Sequence, residues 1–357
     1  MTKEQELVNV SPDRLHELIQ NKLQAAGLPK EQAEETANHL VYANLVGVDS
    51  HGAVRVDYYA ERISKGGITL NPELRFEKTG ESTGIFHGDN AQGHYVVQQS
   101  LPHIIKMAKD TGAAIVGVRQ VGHTGTLSYY VRQIAREGLV VIAMTNSDPM
   151  VVPFGGAEVY YGTNPIAFSA PRAEGHEPLV FDMATTVQAW GKILDARSKG
   201  KDIPQGWAVD ASGKDTTDPH AVAGLLPISG PKGYGLMMMV DMLAAVLLGL
   251  PFGKHVSSMY NKLEEGRDLG QFFIVLDPNR FVGLEQFTKG VEQTIEELHE
   301  IKPAEGFDKV YYPGELSLVR YNNNRENGLN IPKHIMDYLE SDTVHFDQFG
   351  DKGPFAE

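Results

Sequence analysis

The spacing of hydrophobic residues predicts helices at the start of the chain. The four leucine and isoleucine residues between positions 15 and 23 recur at intervals of three and four, which aligns them on one face of a helix. Ser11 and Pro12 stand where that helix begins, since serine caps helix N-termini and proline is favoured in the first turn. Two more helices are predicted over residues 29–45 and from residue 53 to the glycine pair at 66–67.

After residue 70 the pattern changes, and short β-prone runs alternate with longer helical ones. The predicted strands fall at 85–86, 114–118, 139–144, 166–169, 179–182 and 272–276. The predicted helices fall near 95–110, 126–137, 184–196, 234–250, 284–301, 315–323 and 333–340. This order predicts an α+β fold of mixed α/β character, with a helical domain over 1–72 that the C-terminal helices of 316–357 join, and a β-rich domain over 73–315.

Charge and composition narrow the classes of function. The 357 residues carry a net charge of −14, which repels nucleic acid phosphates and anionic membranes, so neither is expected as a partner. There is no cysteine and the 13 histidines are scattered, so disulfides and thiolate chemistry are excluded and no metal site is expected. The first residues lack the apolar core of a secretory signal, which predicts a cytoplasmic protein.

The most apolar stretch, residues 236–250, is predicted to be a buried helix. It is shorter than the roughly 20 residues that span a bilayer, and Asp241 interrupts it. Nucleotide signatures are missing as well, because no GxGxxG follows a strand and no GxxxxGK[ST] is present. Either no nucleotide binds, or one binds on a scaffold that is not a Rossmann fold.

The first candidate site is DSHGAVRVDYY at 49–59. His51, Arg55 and Tyr59 are spaced by four residues, so on a continuous helix they would share one face. Arginine offers a planar fork that suits a carboxylate, and the other two side chains could bind a hydroxyl or carbonyl. The alternative is a solvated polar face, which this spacing on its own favours.

The second candidate is VGHTGTLSYY at 121–130. His123 lies between a β-prone run and a predicted helix that Thr124 or Thr126 could cap. The partial positive charge of a helix N-terminus disfavours imidazolium, and a histidine that stays neutral can accept a proton. The alternative is a turn histidine bonded to the backbone.

Two further segments carry candidate polar groups. Asp148 follows an apolar strand, where it could orient a histidine as the third group of a triad does; the alternative is a structural loop with an Asx turn. Lys232 precedes the apolar helix, and a cation there opposes the helix dipole. A diphosphate between the lysine and the helix N-terminus would explain it, whereas the alternative is a lysine that reaches into water.

Taken together, the ordered motifs resemble one family over nearly the whole chain. They are SHGAVR, GHTG, SDPMVVPFGG, YYGTNP, FDMATTVQAWGK, GPKGYGLMMM and VYYPGE. This set resembles the malate/L-lactate/sulfolactate dehydrogenase-like family, which is unrelated to the Rossmann lactate dehydrogenases. The resemblance implies a helical part, a β-rich nicotinamide-binding part and a homodimer.

The resemblance also implies a reaction and its residues. A small 2-hydroxy acid with a carboxylate would be oxidised by NAD, with His123 as the proton acceptor and His51 as the alternative. Arg55 would hold the carboxylate, and Asp148 would serve the other end of the substrate. The positions that match cofactor contacts are Ser147, Asp182, Met183, Ala184, Lys232, Pro313, Gly314 and Glu315.

Other functions stay open at this point. The enzyme could instead reduce another 2-oxo acid, such as diketogulonate, malate, sulfolactate, lactate or a cyclic imino acid. A metabolite sensor that kept the fold is a different class, although both histidines, Arg55 and Lys232 argue against it. NADP would need a basic neighbour for its 2′-phosphate, and since no basic cluster stands out, NAD is favoured.

Overall fold

A computed structural model describes residues 6–350. The first five and last seven residues lie outside the described residues. The segment examined for a secretory signal begins among the first, and the predicted C-terminal helical part, 316–357, ends among the last. The helices are α1 Pro12–Ala25, α2 Lys30–Leu45, α3 Val56–Ser64, α4 Gly93–Thr111, α5 Ser128–Arg136, α6 Trp190–Ser198, α7 Pro231–Ala244, α8 Leu284–Glu300, α9 Glu315–Asn327 and α10 Lys333–Glu340. The strands are β1 Leu7–Val10, β2 Arg75–Lys78, β3 Thr83–Ala91, β4 Ala113–Val121, β5 Val140–Thr145, β6 Ile166–Ala170, β7 Leu179–Met183, β8 Ala208–Val209, β9 Gly224–Leu225, β10 Leu269–Leu276 and β11 Leu329–Pro332.

The helical part forms around the apolar face that the sequence pattern predicts. The Ser11 hydroxyl accepts a hydrogen bond from the Arg14 amide at 3.2 Å, so the predicted cap is confirmed. Strand β1 pairs antiparallel with β11 and joins the two ends of the described chain. Helices α1, α2, α3 and α10 enclose one core, and Met259 and Leu263 from the predicted β-rich domain enter it.

The β-rich part is a mixed seven-stranded sheet in the order β2-β3-β4-β10-β5-β6-β7. Only β3 and β4 are parallel neighbours; every other adjacent pair in this sheet is antiparallel. Apolar residues of α4 and α5 form a core with the central strands, while α7 packs with β5 and β10 in a separate cluster. The predicted α+β architecture is therefore confirmed.

Two expectations about helices are wrong. The helix expected over 184–196 begins only at Trp190, because Thr186 forms an isolated bridge with Pro227 and holds the preceding residues extended. Helix α7 is not buried along its length, since Met238 and Met239 are 43% and 41% exposed. The helix therefore also has apolar side chains outside the face that packs against the sheet.

The segment Pro231–Leu248 is long and apolar enough to cross a membrane by length and composition, and 39% of it is buried. Its Asp241 is fully buried, and the carboxylate accepts a hydrogen bond from the Gly253 amide at 3.1 Å. This hydrogen bond ties α7 to the loop that follows it.

Candidate active site

A cavity of about 830 Å³ brings together segments that are far apart in sequence. Most of the predicted site residues line it: His51, Arg55, His123, Ser147, Asp148, Asp182, Met183, Ala184 and Gly314. The remaining four, Tyr59, Lys232, Pro313 and Glu315, do not line it. The cavity is in the size range of ligand sites, and its lining includes a few polar and charged side chains.

The segment with His51 and Arg55 is not the continuous helix that the spacing indicates. It forms two 3₁₀ turns, Asp49–His51 and Ala53–Arg55, before α3 begins. The Asn44 side-chain oxygen accepts from the Ala53 amide at 2.8 Å. A Cβ on Gly52 would lie 2.2 Å from that oxygen, so glycine is required for this close approach. The turns face the cavity rather than bulk solvent, which contradicts the solvated-face alternative.

Arg55 is held by uncharged groups. Its Nε donates to the Ser50 carbonyl oxygen at 2.7 Å, and its Nη1 donates to the Tyr260 hydroxyl at 2.7 Å. No acidic side chain among residues 6–350 forms an ion pair with it. An arginine without a carboxylate partner at a cavity wall suits an anionic ligand.

His123 lies in the loop after β4, beside two other site residues. Its Nδ1 is 2.7 Å from the Tyr59 hydroxyl, and its ring stacks against His51 with centroids 5.6 Å apart. The helix-capping expectation is wrong, because α5 begins five residues later at Ser128 and its N-cap position has no side-chain cap. The Asp182 carboxylate accepts from the Ser128 amide at 2.8 Å instead.

Burial, rather than a helix dipole, keeps these histidines neutral. It lowers the pKa of His123 well below the ordinary value, with further contributions from His51, Arg55 and His94. Burial and then Arg55 lower the pKa of His51 to about 3. Protein surrounds both rings although part of each faces the cavity. A neutral His123 can accept a proton, as the sequence predicts, for a different physical reason.

Tyr59 lies behind His123 rather than at the cavity wall. It is 2% exposed, and burial raises its pKa well above the ordinary value, so the phenol stays protonated. If Nδ1–H of His123 donates to the Tyr59 oxygen, Nε2 keeps a free lone pair for a proton. The contact therefore favours an orienting role for Tyr59 in place of the predicted substrate contact.

Asp148 does not contact a histidine. Its carboxylate accepts from Arg267 at 3.1 Å and from the Met259 amide at 3.1 Å. Both side chains of this ion pair are almost fully buried. These contacts fix the segment around Met259, which forms part of the cavity wall. The side chain that contacts the His123 ring, as the triad hypothesis expects of Asp148, is Tyr59.

The residues predicted to contact the cofactor differ in where they lie relative to the cavity. Ser147 accepts from the Thr163 amide at 2.9 Å at the cavity edge, whereas Glu315 is turned inwards, where it binds Lys309, His299 and the Tyr312 amide. Lys232 is exposed at the start of α7, outside the cavity within this chain. Pro231 and Lys232 are both exposed, which is the arrangement of the alternative, a lysine that reaches into water.

Several cavity residues carried no recognisable signal in the sequence. They are Met259, Tyr260 and Ser317. Each is a single side chain in a loop or at a helix start, outside the motifs that carry the family resemblance. Only the fold brings them to the cavity.

Comparison with known proteins agrees with this architecture. The sequence profile of the malate/L-lactate dehydrogenase family matches residues 10–340. The chain is 54% identical over 350 residues to ureidoglycolate dehydrogenase (NAD(+)) of Escherichia coli, covering 98% of this chain and 100% of that protein. It is 38% identical over 342 residues to malate dehydrogenase of Pyrococcus horikoshii, covering 93% and 94% of the two chains.

A solved structure leads to the same family. Sulfolactate dehydrogenase of Methanocaldococcus jannaschii superposes with a TM-score of 0.86 at 35% identity, covering 93% of this chain and 96% of that one. The likeness covers nearly the whole chain, so it extends over the helical part and the sheet alike. The chain belongs to the malate/L-lactate dehydrogenase family.

Proposed function

We propose that this chain is an NAD-dependent dehydrogenase that oxidises (S)-ureidoglycolate to oxalurate. The observation that carries the proposal is the full-length similarity to ureidoglycolate dehydrogenase (NAD(+)), in which more than half of the residues are identical. The cavity adds His123, which burial keeps neutral, and Arg55, which forms no ion pair with an acidic side chain of residues 6–350. A 2-hydroxy acid needs these two groups, one for its hydroxyl proton and one for its carboxylate.

The proposed chemistry assigns one task to each group. Arg55 binds the carboxylate and places the hydroxyl near His123. His123 accepts the hydroxyl proton at Nε2, while Tyr59 holds Nδ1. His51, stacked on His123, is the alternative acceptor. NAD supplies the hydride acceptor when it is bound, and the protein orients the substrate and manages the proton.

Two helix N-termini in the cavity wall support a dinucleotide as its ligand. The N-termini of α6 and α9 both reach it through Gly191 and Ser317, and neither helix has a side-chain cap. Unpaired amides at helix N-termini favour phosphate groups. Arg132 in the wall is already paired with Glu177 at 2.9 Å, which leaves it poorly placed for the 2′-phosphate of NADP. This supports NAD.

The test is a substrate panel followed at the reduced-nicotinamide absorbance band with NAD and with NADP. The panel contains ureidoglycolate, malate, sulfolactate and lactate, together with diketogulonate and a cyclic imino acid for the reductive direction. We expect the highest kcat/KM with ureidoglycolate and NAD. A higher kcat/KM with another acid would favour the alternative function, and binding without turnover would indicate a sensor.

We also propose that the protein is a cytoplasmic homodimer in allantoin degradation. Support for association comes from apolar side chains exposed along one segment, including Met238, Met239, Val246 and Leu247. Contiguous apolar surface of this kind marks interfaces. Light scattering during gel filtration should give twice the chain mass, and Met239→Lys should reduce it. A monomer at micromolar concentration would contradict the proposal.

A further inference from the structure

The end of the Arg55 side chain is fixed by a residue from another part of the chain. Nε and Nη1 are occupied by the Ser50 carbonyl and the Tyr260 hydroxyl, both at 2.7 Å. The other contact of Nη1 is the Met259 sulfur at 3.9 Å, a weak acceptor. Nη2 of Arg55 forms no hydrogen bond within residues 6–350, so the outer edge of the guanidinium remains available to a carboxylate.

Tyr260 is itself held from several sides. Its carbonyl oxygen accepts from the Gly350 amide at 2.9 Å, and its ring stacks on Phe349 with centroids 5.6 Å apart. The neighbouring Met259 amide donates to the buried Asp148 carboxylate at 3.1 Å. The hydroxyl of Tyr260 therefore has a position set by the β-rich part and the C-terminal segment, independently of the 3₁₀ turns that carry Arg55.

We propose that Tyr260 is a positioning residue that orients the Arg55 guanidinium for the substrate carboxylate, an inference that rests on the proposed function. A guanidinium recognises a carboxylate only when its plane faces the two oxygens. Arginine has several rotatable bonds, and without the Tyr260 contact its guanidinium would keep, among residues 6–350, only the Ser50 carbonyl and the Met259 sulfur. Tyr260 thus links substrate affinity to the packing of the C-terminal segment.

Tyr260→Phe tests the proposal because it removes only the hydroxyl. We expect KM for the 2-hydroxy acid to rise roughly tenfold, the effect of losing one hydrogen bond to a charged group. We expect kcat and KM for NAD to stay within about twofold, because the proton acceptor and the cofactor wall are unchanged. Tyr338→Phe is the matched control, since its hydroxyl donates to the Val344 carbonyl in the helical part, away from Arg55. An unchanged KM for the acid, or an equal loss in kcat and NAD affinity, would overturn the proposal.

A double-mutant cycle separates positioning from direct contact. In an Arg55→Met background, Tyr260→Phe should cause no further loss of kcat/KM, because its effect acts through the guanidinium. A full additional loss would mean that Tyr260 binds the substrate itself, and the proposal would be wrong. If Arg55→Met alone leaves KM for the acid unchanged, the carboxylate-binding role in the proposed function fails as well. If Arg55→Met raises KM and Tyr260→Phe does not, only the positioning role fails.

Discussion

At the scale of single residues, the chemistry depends on how His123 is surrounded. We expect His123→Ala to lose most turnover while NADH binding survives, because the imidazole is the proposed proton acceptor and not a cofactor contact. Removal of a general base typically lowers kcat by about a hundred- to ten-thousandfold. Steady-state rates and NADH fluorescence titration measure the two effects. A variant within a few-fold of the wild-type kcat would transfer the role to His51.

Tyr59 is the hydrogen-bond partner of His123, so its hydroxyl should affect turnover. We expect Tyr59→Phe to lower kcat by roughly tenfold or more, since loss of the partner of Nδ1 leaves the tautomer and ring of His123 unfixed. KM for the acid should change little, because Tyr59 does not line the cavity. Tyr338→Phe again serves as the control. A rise in KM with unchanged kcat would return Tyr59 to the substrate-binding role.

The pH dependence of oxidation follows from the lowered pKa of His123. Its ring faces His51, His94 and Tyr59, with the cations of Arg55 and Arg267 nearby. Burial and these neighbours keep the active, neutral form populated as the pH falls below the ordinary histidine pKa of about 6.5. We therefore expect log(kcat/KM) to stay level from about pH 8 to pH 6.5 and to decline only at lower pH. A decline centred above 6.5 would assign the titration to another group.

At the scale of elements, Gly314 at the start of α9 shows what the PGE motif provides structurally. Its φ is +88°, and a Cβ there would lie 1.8 Å from the Val180 carbonyl oxygen of β7. The helix N-terminus therefore reaches the cavity edge only because this residue has no side chain.

We expect Gly314→Ala to lower the free energy of unfolding by about 2–4 kcal/mol, because both the backbone conformation and the close approach are lost. NAD affinity should fall as well, since α9 would move away from the cavity. Gly290→Ala in the interior of α8 is the matched control: nothing lies within 4 Å of the added Cβ, and it should be neutral or slightly stabilising. Chemical denaturation measures both. Equal stability of the two variants would contradict the close packing of Gly314 against β7.

At the scale of the whole molecule, the helical part and the sheet meet over buried histidines. His39 and His94 are almost fully buried, with ring centroids 4.5 Å apart. Burial and then His51 lower the pKa of His94 to about 3, and burial and then His94 lower that of His39 well below the ordinary value. Both residues are therefore neutral in the folded protein at neutral pH.

The neutral state of His39 and His94 in the folded protein predicts a loss of folding stability on mild acidification. Below about pH 6.5 the unfolded chain binds protons at these histidines and the folded protein does not, so unfolding becomes more favourable as the pH falls towards their folded pKa. Each such histidine contributes up to about 1.4 kcal/mol per pH unit. Burial raises the pKa of Asp182 and of Asp241, which acts in the opposite direction at lower pH. Urea unfolding at about pH 7.5 and pH 5.5 measures the change; equal stability would show that the histidines are charged when folded.

The sequence by itself determined most of the regular structure and the chemical types at the site. Apolar spacing fixed α1 and α8 almost to the residue, because an amphipathic face needs only its own segment to be recognised. The strands of the large sheet were found as β-prone runs, apart from β2, which is short and largely exposed. The motifs identified His51, Arg55 and His123 as the polar groups of one site.

Only the tertiary structure decided how those groups act. The partner of His123 is Tyr59 from α3, the partner of Arg55 is Tyr260, and Asp148 pairs with Arg267, each at a sequence separation of more than 60 residues. Local pattern contains no information about such pairs, because they depend on how the helical part packs on the sheet. The low pKa of His123 has the same origin, since burial is a property of the assembled fold and not of the segment that carries the side chain.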